Sequence, residues 1–163
     1  MTLRHAVAAD LPHILRLETT FRDLGFVGSD DIRVHERRLT DPDYLYDIVE
    51  TAGQPGGYVI LRGLTSPNRS VELKRLVIAE PGQGLGRRVL EAILHKVFDE
   101  FSAHRLWLDV FTDNDRARHL YRSIGFVEEG VLRECVRRGD LYRSLLIMSM
   151  LGSEYREYRE RTD

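Results

Sequence analysis

The chain has 163 residues, 42% of them hydrophobic, a size and composition that fit one globular domain with a buried core. Its formal net charge of −2 excludes a general attraction to nucleic acid or to an anionic membrane. Because no apolar run has the length of a membrane span and the N-terminus lacks a signal-peptide pattern, we expect a cytoplasmic protein with no membrane partner.

The first half of the chain predicts a strand, two helices and three further strands. Thr2–Val7 fits the first strand, and Asp10 is a good N-cap for the helix that follows it. Residues 19–45 are harder to interpret, although Ser29, Asp30 or Asp31 could cap a second helix that carries Ile32, His35 and Leu39. The three strands are predicted over residues 46–51, 58–62 and 71–78, with a glycine-rich turn at 53–57.

The second half predicts two helices, a short buried strand and a hairpin. The helix is clearest between Leu85 and Phe101, where apolar residues recur with a period near 3.6 residues. A strand at 105–110, a helix that Gly125 ends and two strands around Arg138-Gly139-Asp140 follow. The order is β-α-α-β-β-β-α-β-α-β-β, which predicts an α/β domain over residues 1–151 with helices covering a mixed sheet. We expect the charged tail, 152–163, to be a frayed helix or disordered.

A glycine-rich loop precedes the clearest helix. The sequence Gly82-Gln83-Gly84-Leu85-Gly86-Arg87-Arg88 combines a flexible backbone, the N–H groups of a helix N-terminus and two cations. These features favour binding of an anion such as a pyrophosphate, although a tight strand-to-helix turn would explain the glycines equally well. The loop lacks the Gly-Lys-Ser/Thr of a P-loop, and its position in the chain does not fit a Rossmann domain.

A second motif follows the short buried strand. Asn114, Ala117, Tyr121, Gly125 and Phe126 match the spacing of Asn, Ala, Tyr and Gly-Phe in the GNAT N-acetyltransferases, which this chain resembles. The family's Gln/Arg-x-x-Gly-x-Gly/Ala loop is matched at Gly84 and Gly86 but not at Pro81, where Gln or Arg is usual. Both motifs occur in the family's order, and the resemblance extends from Thr2 to Leu151.

The resemblance implies a GNAT fold, with about seven strands splayed in the middle of the sheet and about four flanking helices. It also implies an enzyme that transfers an acetyl group from acetyl-CoA to a primary amine by direct attack. The splayed strands would be 71–78 and 105–110, with Leu76 and Ile78 along the pantetheine arm. The other residues expected to bind the cofactor are Gln83, Gly84, Leu85, Gly86, Arg87, Arg88, Asn114 and Ala117.

Two residues are candidates for proton transfer. Tyr121 would protonate the departing thiolate, since a phenol can donate to a developing anion; the alternative is a core tyrosine beneath the sheet. Glu72 would take the proton of the acceptor ammonium, and the alternatives are a water chain or a cross-strand partner for a Lys or Arg. The histidines show no metal-ligand spacing, so we expect no metal, and Cys135 is expected to be a buried filler.

The acceptor itself is not determined by the sequence. In the family it binds between residues 19–45 and about 130–144, which here are acidic and arginine-rich, respectively. The acids, among them Glu18, Asp30, Asp31, Asp41 and Asp43, would suit a cationic small amine or a peptide N-terminus, whereas the arginines would suit an acceptor with a carboxylate. An acyl-CoA sensor without turnover and another nucleotide-binding domain remain alternatives, and the resemblance allows a homodimer.

Overall fold

A computed structural model describes residues 1–23, 25, 28–80, 82 and 84–162. A seven-stranded mixed sheet has the order β1-β2-β3-β4-β5-β7-β6, in which β4 and β5 run parallel and the other neighbours antiparallel. The strands are β1 Thr2–His5, β2 Tyr44–Thr51, β3 Gln54–Arg62, β4 Ser70–Ile78, β5 Arg105–Phe111, β6 Val127–Arg138 and β7 Leu141–Leu151. The helices are α1 Leu11–Asp23, α2 Ile32–Leu39, α3 Leu85–His95, α4 Asp115–Ile124 and α5 Gly152–Thr162.

This order confirms the predicted α/β architecture and its element sequence. Short helical turns at Ala8–Asp10 and Lys96–Glu100 flank α1 and α3, so the predicted long helix changes its winding at Lys96. The turn predicted at 53–57 is shorter, because β3 already begins at Gln54. In the described part of the chain, no helix is both long and apolar enough to cross a membrane.

Helices cover the two faces of the sheet over different strands. On the face that we call the back face, α3, α4 and α5 pack against β2–β5 and β7, including Leu106, Leu108 and Val110 of β5. On the front face, Leu11 and Ile14 of α1 pack against β2, β3 and Val77 of β4. Among the described residues, this front core includes none from β5, β6 or β7. Because side chains alternate along a strand, Trp107 and Asp109 point to the part of the front face outside that core.

The sheet opens between β4 and β5. These strands pair only through Ser70, Val71 and Glu72, opposite Arg105, Leu106 and Trp107. Directly after Glu72, β4 contains a β-bulge: Leu73 pairs with Leu61 and Arg75 with Ile60, which leaves Lys74 without a partner residue in β3. A bulge bends and twists its strand. It therefore accounts for the separation of residues 73–78 from residues 108–111.

Two sequence predictions were wrong at the periphery. Cys135 is exposed, because β6 is an edge strand whose residues are largely open to solvent and whose pairing with β7 shifts between Leu132 and Val136. The tail forms α5 and is docked, since Tyr155 and Tyr158 are both buried. Tyr155 stacks on Phe98 with ring centroids 4.9 Å apart, which fixes this helix against the back-face core.

Candidate active site

The loop before α3 is built around glycine conformations. Gly84 is the N-cap of α3 in the left-handed region, with φ of 72°. Gly86 lies beneath α4, because a Cβ added there would approach Leu120 Cδ2 to 3.2 Å. The N–H of Leu85 donates to Gly82 O over 3.1 Å, closing the turn. The predicted residues Pro81 and Gln83 lie outside the described residues.

The two arginines of α3 have different environments. Arg87 donates to Ser123 Oγ over 2.6 Å and lies 3.6 Å from a Glu91 carboxylate oxygen, so other parts of the chain engage its guanidinium. Arg88 is exposed, and no carboxylate among the described residues lies within salt-bridge distance of it. With the N–H groups and the positive dipole end of α3, Arg88 makes this loop suited to a phosphate group.

The N-terminus of α4 follows the end of β5 after a short turn. Asn114 is its N-cap and accepts a hydrogen bond from the Ala117 N–H over 3.2 Å. Ala117 is partly buried against the back-face core, as are Leu76, Ile78 and Leu85. Leu76 and Ile78 lie in the part of β4 beyond its last pair with β5, so these two residues border the opening. The unpaired strand edge of residues 73–78 and the glycine cradle fit an extended amide-containing arm that ends in phosphates.

Tyr121 of α4 lies under the opening from the back face. Its side chain is buried, and its ring is 5.7 Å from that of Phe126. Burial, and next the negative charge of Asp109, raise the pKa of Tyr121 to about 12. Within the part of the chain that the structure describes, its hydroxyl makes no hydrogen bond, so the proton remains available to a ligand in the opening.

Asp109 approaches the opening from the front face, and the sequence prediction missed it. Its side chain is accessible, yet the surrounding protein displaces enough water that burial raises its pKa. The positive charges of Lys74, Arg75 and Arg62 offset this rise only in part. A clue was present in the sequence, since Asp109 is the one polar residue between Leu106 and Phe111 of this short strand.

Glu72, the predicted general base, lies on the front face where β4 and β5 are still paired. It is buried, it faces Arg62 across β3 and β4, and its Oε2 is 2.5 Å from Arg62 Nη2. This is the cross-strand ion pair that was the alternative prediction for Glu72. Asp109 and Glu72 therefore lie near one another on the front face, but only Asp109 lies beyond the last β4–β5 pair.

A buried polar network supports the front wall of the site, by which we mean α1, α2 and the segment between them. Glu18 of α1 has no exposed surface; it accepts hydrogen bonds from Tyr58 Oη at 3.1 Å, from the Asp30 N–H at 3.0 Å and from Arg75. His35 Nε2 lies 3.2 Å from the same carboxylate. Burial alone would raise the pKa of Glu18, but His35, Arg75 and the Asp30 N–H together lower it. The network joins α1 and α2 to the bulged part of β4.

These contacts correct the expectation of an acidic acceptor wall. Glu18 is internal, and Asp30 pairs with Arg38 at 2.7 Å and with Arg75 at 3.2 Å. Asp31 caps α2 through the Arg33 N–H. Donor atoms of Glu18, Asp30 and His35 lie within 4.8 Å of one another, a spacing compatible with a metal. The guanidinium groups of Arg75 and Arg38, however, already supply positive charge to the two carboxylates.

The sheet is open between two parallel strands, a glycine-containing helix N-terminus follows β4, and Tyr121 and Asp109 lie on opposite faces of the sheet. This arrangement is the one expected of an acyl-CoA-dependent transferase. The chain belongs to the acetyltransferase (GNAT) family, whose sequence model matches residues 11–126. This confirms the family that the Asn114 and Gly84 motifs indicated, and acetyl-CoA is the acetyl donor.

Characterised relatives cover most of the chain. It is 27% identical over 131 residues to a spermidine N(1)-acetyltransferase of Escherichia coli K12, covering 80% of this chain and 69% of that protein. It is 31% identical over 142 residues to the N-alpha-acetyltransferase RimI of Mycobacterium tuberculosis H37Rv, covering 84% and 85%. The structure of a Vibrio cholerae spermidine N-acetyltransferase in complex with CoA and spermine superposes with a TM-score of 0.85 at 27% identity, covering 94% of this chain and 96% of that one.

The relatives confirm the predicted activity class. All three are N-acetyltransferases, and the chain is an acetyl-CoA-dependent enzyme that N-acetylates an amine. The comparisons give no support to the alternative of a sensor without turnover.

Proposed function

We propose that the acceptor is the primary amine of a small molecule or of a peptide N-terminus, and that it attacks the thioester directly in a ternary complex. Acetyl-CoA supplies the activated carbonyl. Asp109 takes the proton of the acceptor ammonium on the front face. Tyr121 donates a hydrogen bond, and then its proton, to the departing sulfur on the back-face side of the opening.

One observation carries this assignment. Asp109 and Tyr121 approach the opening from opposite faces of the sheet, yet the charge of Asp109 still raises the pKa of Tyr121. A base and an acid on either side of one reacting centre can act on two different protons of the same transfer. The raised pKa of Asp109 also brings this carboxylate closer to the operating pH, which improves a general base.

The cofactor residues keep the roles that the sequence predicted, here as proposals. The free edge of β4 at Leu76 and Ile78 would hydrogen-bond the pantetheine arm, and the backbone at Gly84, Leu85 and Gly86 would bind the pyrophosphate. Arg88 would add a charge contact and Arg87 would steady the loop through Ser123, while Asn114 would present its amide to the cofactor beside Ala117. Gln83 is proposed as a further backbone donor.

Glu72 is the second candidate for the general base. Its Oε2 already contacts the Arg62 guanidinium at 2.5 Å, so this carboxylate is less available to an acceptor ammonium than that of Asp109. The position of Glu72 within the paired part of β4 and β5 also keeps it further along the sheet from the opening. These differences favour Asp109.

The test is the release of free thiol from acetyl-CoA with polyamines, amino sugars, amino acids and short peptides as acceptors. Tyr121→Phe and Asp109→Asn should each lower kcat by about 10²-fold or more, the usual contribution of one general acid or base. Matched controls are Tyr158→Phe and Glu160→Gln on α5, because this helix begins beside Arg105, at the end of β5 opposite to the opening.

Glu72→Gln separates the two candidate bases. If Asp109 is the base, Glu72→Gln should reduce kcat less than Asp109→Asn does. A larger loss with Glu72→Gln would assign the base to Glu72, and acetyl-CoA binding without turnover of any acceptor would contradict the proposal as a whole.

We also propose that the chain associates with copies of itself through β6. This strand is a long exposed edge and carries exposed apolar residues, among them Val127, Val131 and Leu132. A similar Vibrio cholerae spermidine N-acetyltransferase is described as dodecameric, which supports self-association and leaves its order open between a dimer and a larger assembly.

A further inference from the structure

We propose that the acceptor carries a carboxylate beside its reactive amine, and that Lys74 recognises this carboxylate. The inference rests on the proposed function and defines the acceptor class further. It separates an amino-acid-like acceptor from a polyamine.

The first step is the sign of the charges near Asp109. Three charged side chains act on Asp109, and all three are positive: Lys74, Arg75 and Arg62. Lys74 lies on the bulge of β4, across the opening from β5. The place where the acceptor amine meets its proposed base is thus bordered by cations.

The second step is that the surrounding acids already have cationic partners. Glu72 pairs with Arg62, Glu18 with Arg75, and Asp30 with both Arg75 and Arg38. Just after the end of β5, Asp113 pairs with Arg143 at 2.5 Å. Arg143 also donates to Gly25 O, so this pair connects β7 to the segment between α1 and α2.

The third step is that Lys74 differs from these arginines. It is half-buried, and within the described residues no carboxylate lies within salt-bridge distance of it. Arg75 and the side chain of Arg138 lie close to Gly28, within 3.3 and 4.0 Å of a Cβ that would be added there. Positive charge therefore continues from Lys74 towards the loop that forms the front wall.

These charges discriminate between acceptors. One ammonium group is accommodated by Asp109, but a second ammonium, as in a polyamine, would meet Lys74, while Glu72, Glu18 and Asp30 already have guanidinium partners. An acceptor carboxylate would instead form a charge-assisted hydrogen bond with Lys74. Both the repulsion of a second ammonium and the attraction of a carboxylate therefore contribute to the choice of acceptor.

The experiment compares amino acids with the amines that differ from them only by the carboxylate: lysine with cadaverine, ornithine with putrescine, and tyrosine with tyramine. The corresponding amino acid amides keep the size and remove the charge. We expect kcat/KM to be at least about tenfold higher for the acids, as expected for one charge-assisted hydrogen bond. Lys74→Met should abolish this preference and Lys74→Arg should retain it.

The control for Lys74→Met is Arg156→Met, which changes the net charge equally at an exposed position on α5. Thermal unfolding of each variant shows that it remains folded. Equal or faster turnover of the decarboxylated amines by the wild type overturns this inference alone. Turnover of a peptide or an amino sugar but of none of the amino acids also overturns this inference alone, whereas acetyl-CoA binding without turnover of any acceptor overturns the proposed function as well.

Discussion

Asp109 links catalysis to a cost in stability. Because burial raises its pKa in the folded protein, Asp109 stabilises the fold only below its unfolded pKa, and this contribution is lost as the pH rises through the folded pKa. At pH 7, Asp109→Asn should therefore raise the melting temperature while it lowers kcat. In the wild type, kcat/KM should fall as the pH decreases through the raised pKa. Thermal unfolding and a pH–rate profile measure the two effects.

Glu160→Gln is the control, since this exposed carboxylate on α5 should change neither quantity. A lower melting temperature for Asp109→Asn with unchanged kcat would contradict both roles.

The positions of the residues in the sequence explain why Tyr121 could be predicted and Asp109 could not. Tyr121 belongs to a motif whose residues have a fixed spacing in the sequence. The charges around Asp109 come instead from Lys74 and Arg75, which lie more than thirty positions away in the sequence and come near Asp109 because of the bulge in β4.

The network around Glu18 joins α1, α2 and β4, so removing Glu18 should destabilise the contacts among all three elements. Glu18→Leu leaves the guanidinium of Arg75 buried with only Asp30 as a partner, which should lower the free energy of unfolding by about 3 kcal/mol. Because the pKa of Glu18 is lowered in the fold, its contribution is present above its unfolded pKa and is lost as the pH falls through the folded pKa. Urea unfolding at pH 7 and at pH 4 measures both.

The double substitution Glu18→Leu with Arg75→Leu is the matched comparison and should recover part of the loss, because it removes the buried charge together with its partner. No recovery would indicate that Arg75 contributes through other contacts.

Among the helices, periodicity and caps predicted α2 and α3, and Asp31 does cap α2. The sequence could not predict the docking of α5, because its charged composition masks two tyrosines, Tyr155 and Tyr158, that lie on one side of the helix.

For the whole molecule, the order of elements was predictable because each strand and helix has its own pattern, and because turns separate them. The opening of the sheet was implied only by the family resemblance. Its cause is physical and local: the extra residue at Lys74 bends β4 away from β5 after Glu72. The exposure of β6 was not predictable from the sequence. An apolar residue such as Val131 is expected to be buried unless the order of the strands shows that its strand lies at the edge of the sheet.

That exposure leads to a prediction about assembly. Val131 is 51% exposed on an edge strand, and a charge there should oppose pairing with a second copy without disturbing the fold. Val131→Lys should therefore lower the molar mass found by light scattering after size-exclusion chromatography, while circular dichroism shows that the fold is retained. Val7→Lys is the control, because Val7 is similarly exposed, at 58%, but lies beside β1 at the opposite edge of the sheet. Equal masses for the wild type and Val131→Lys would place any interface elsewhere. If the variant does dissociate, its turnover will show whether one copy contains a complete site.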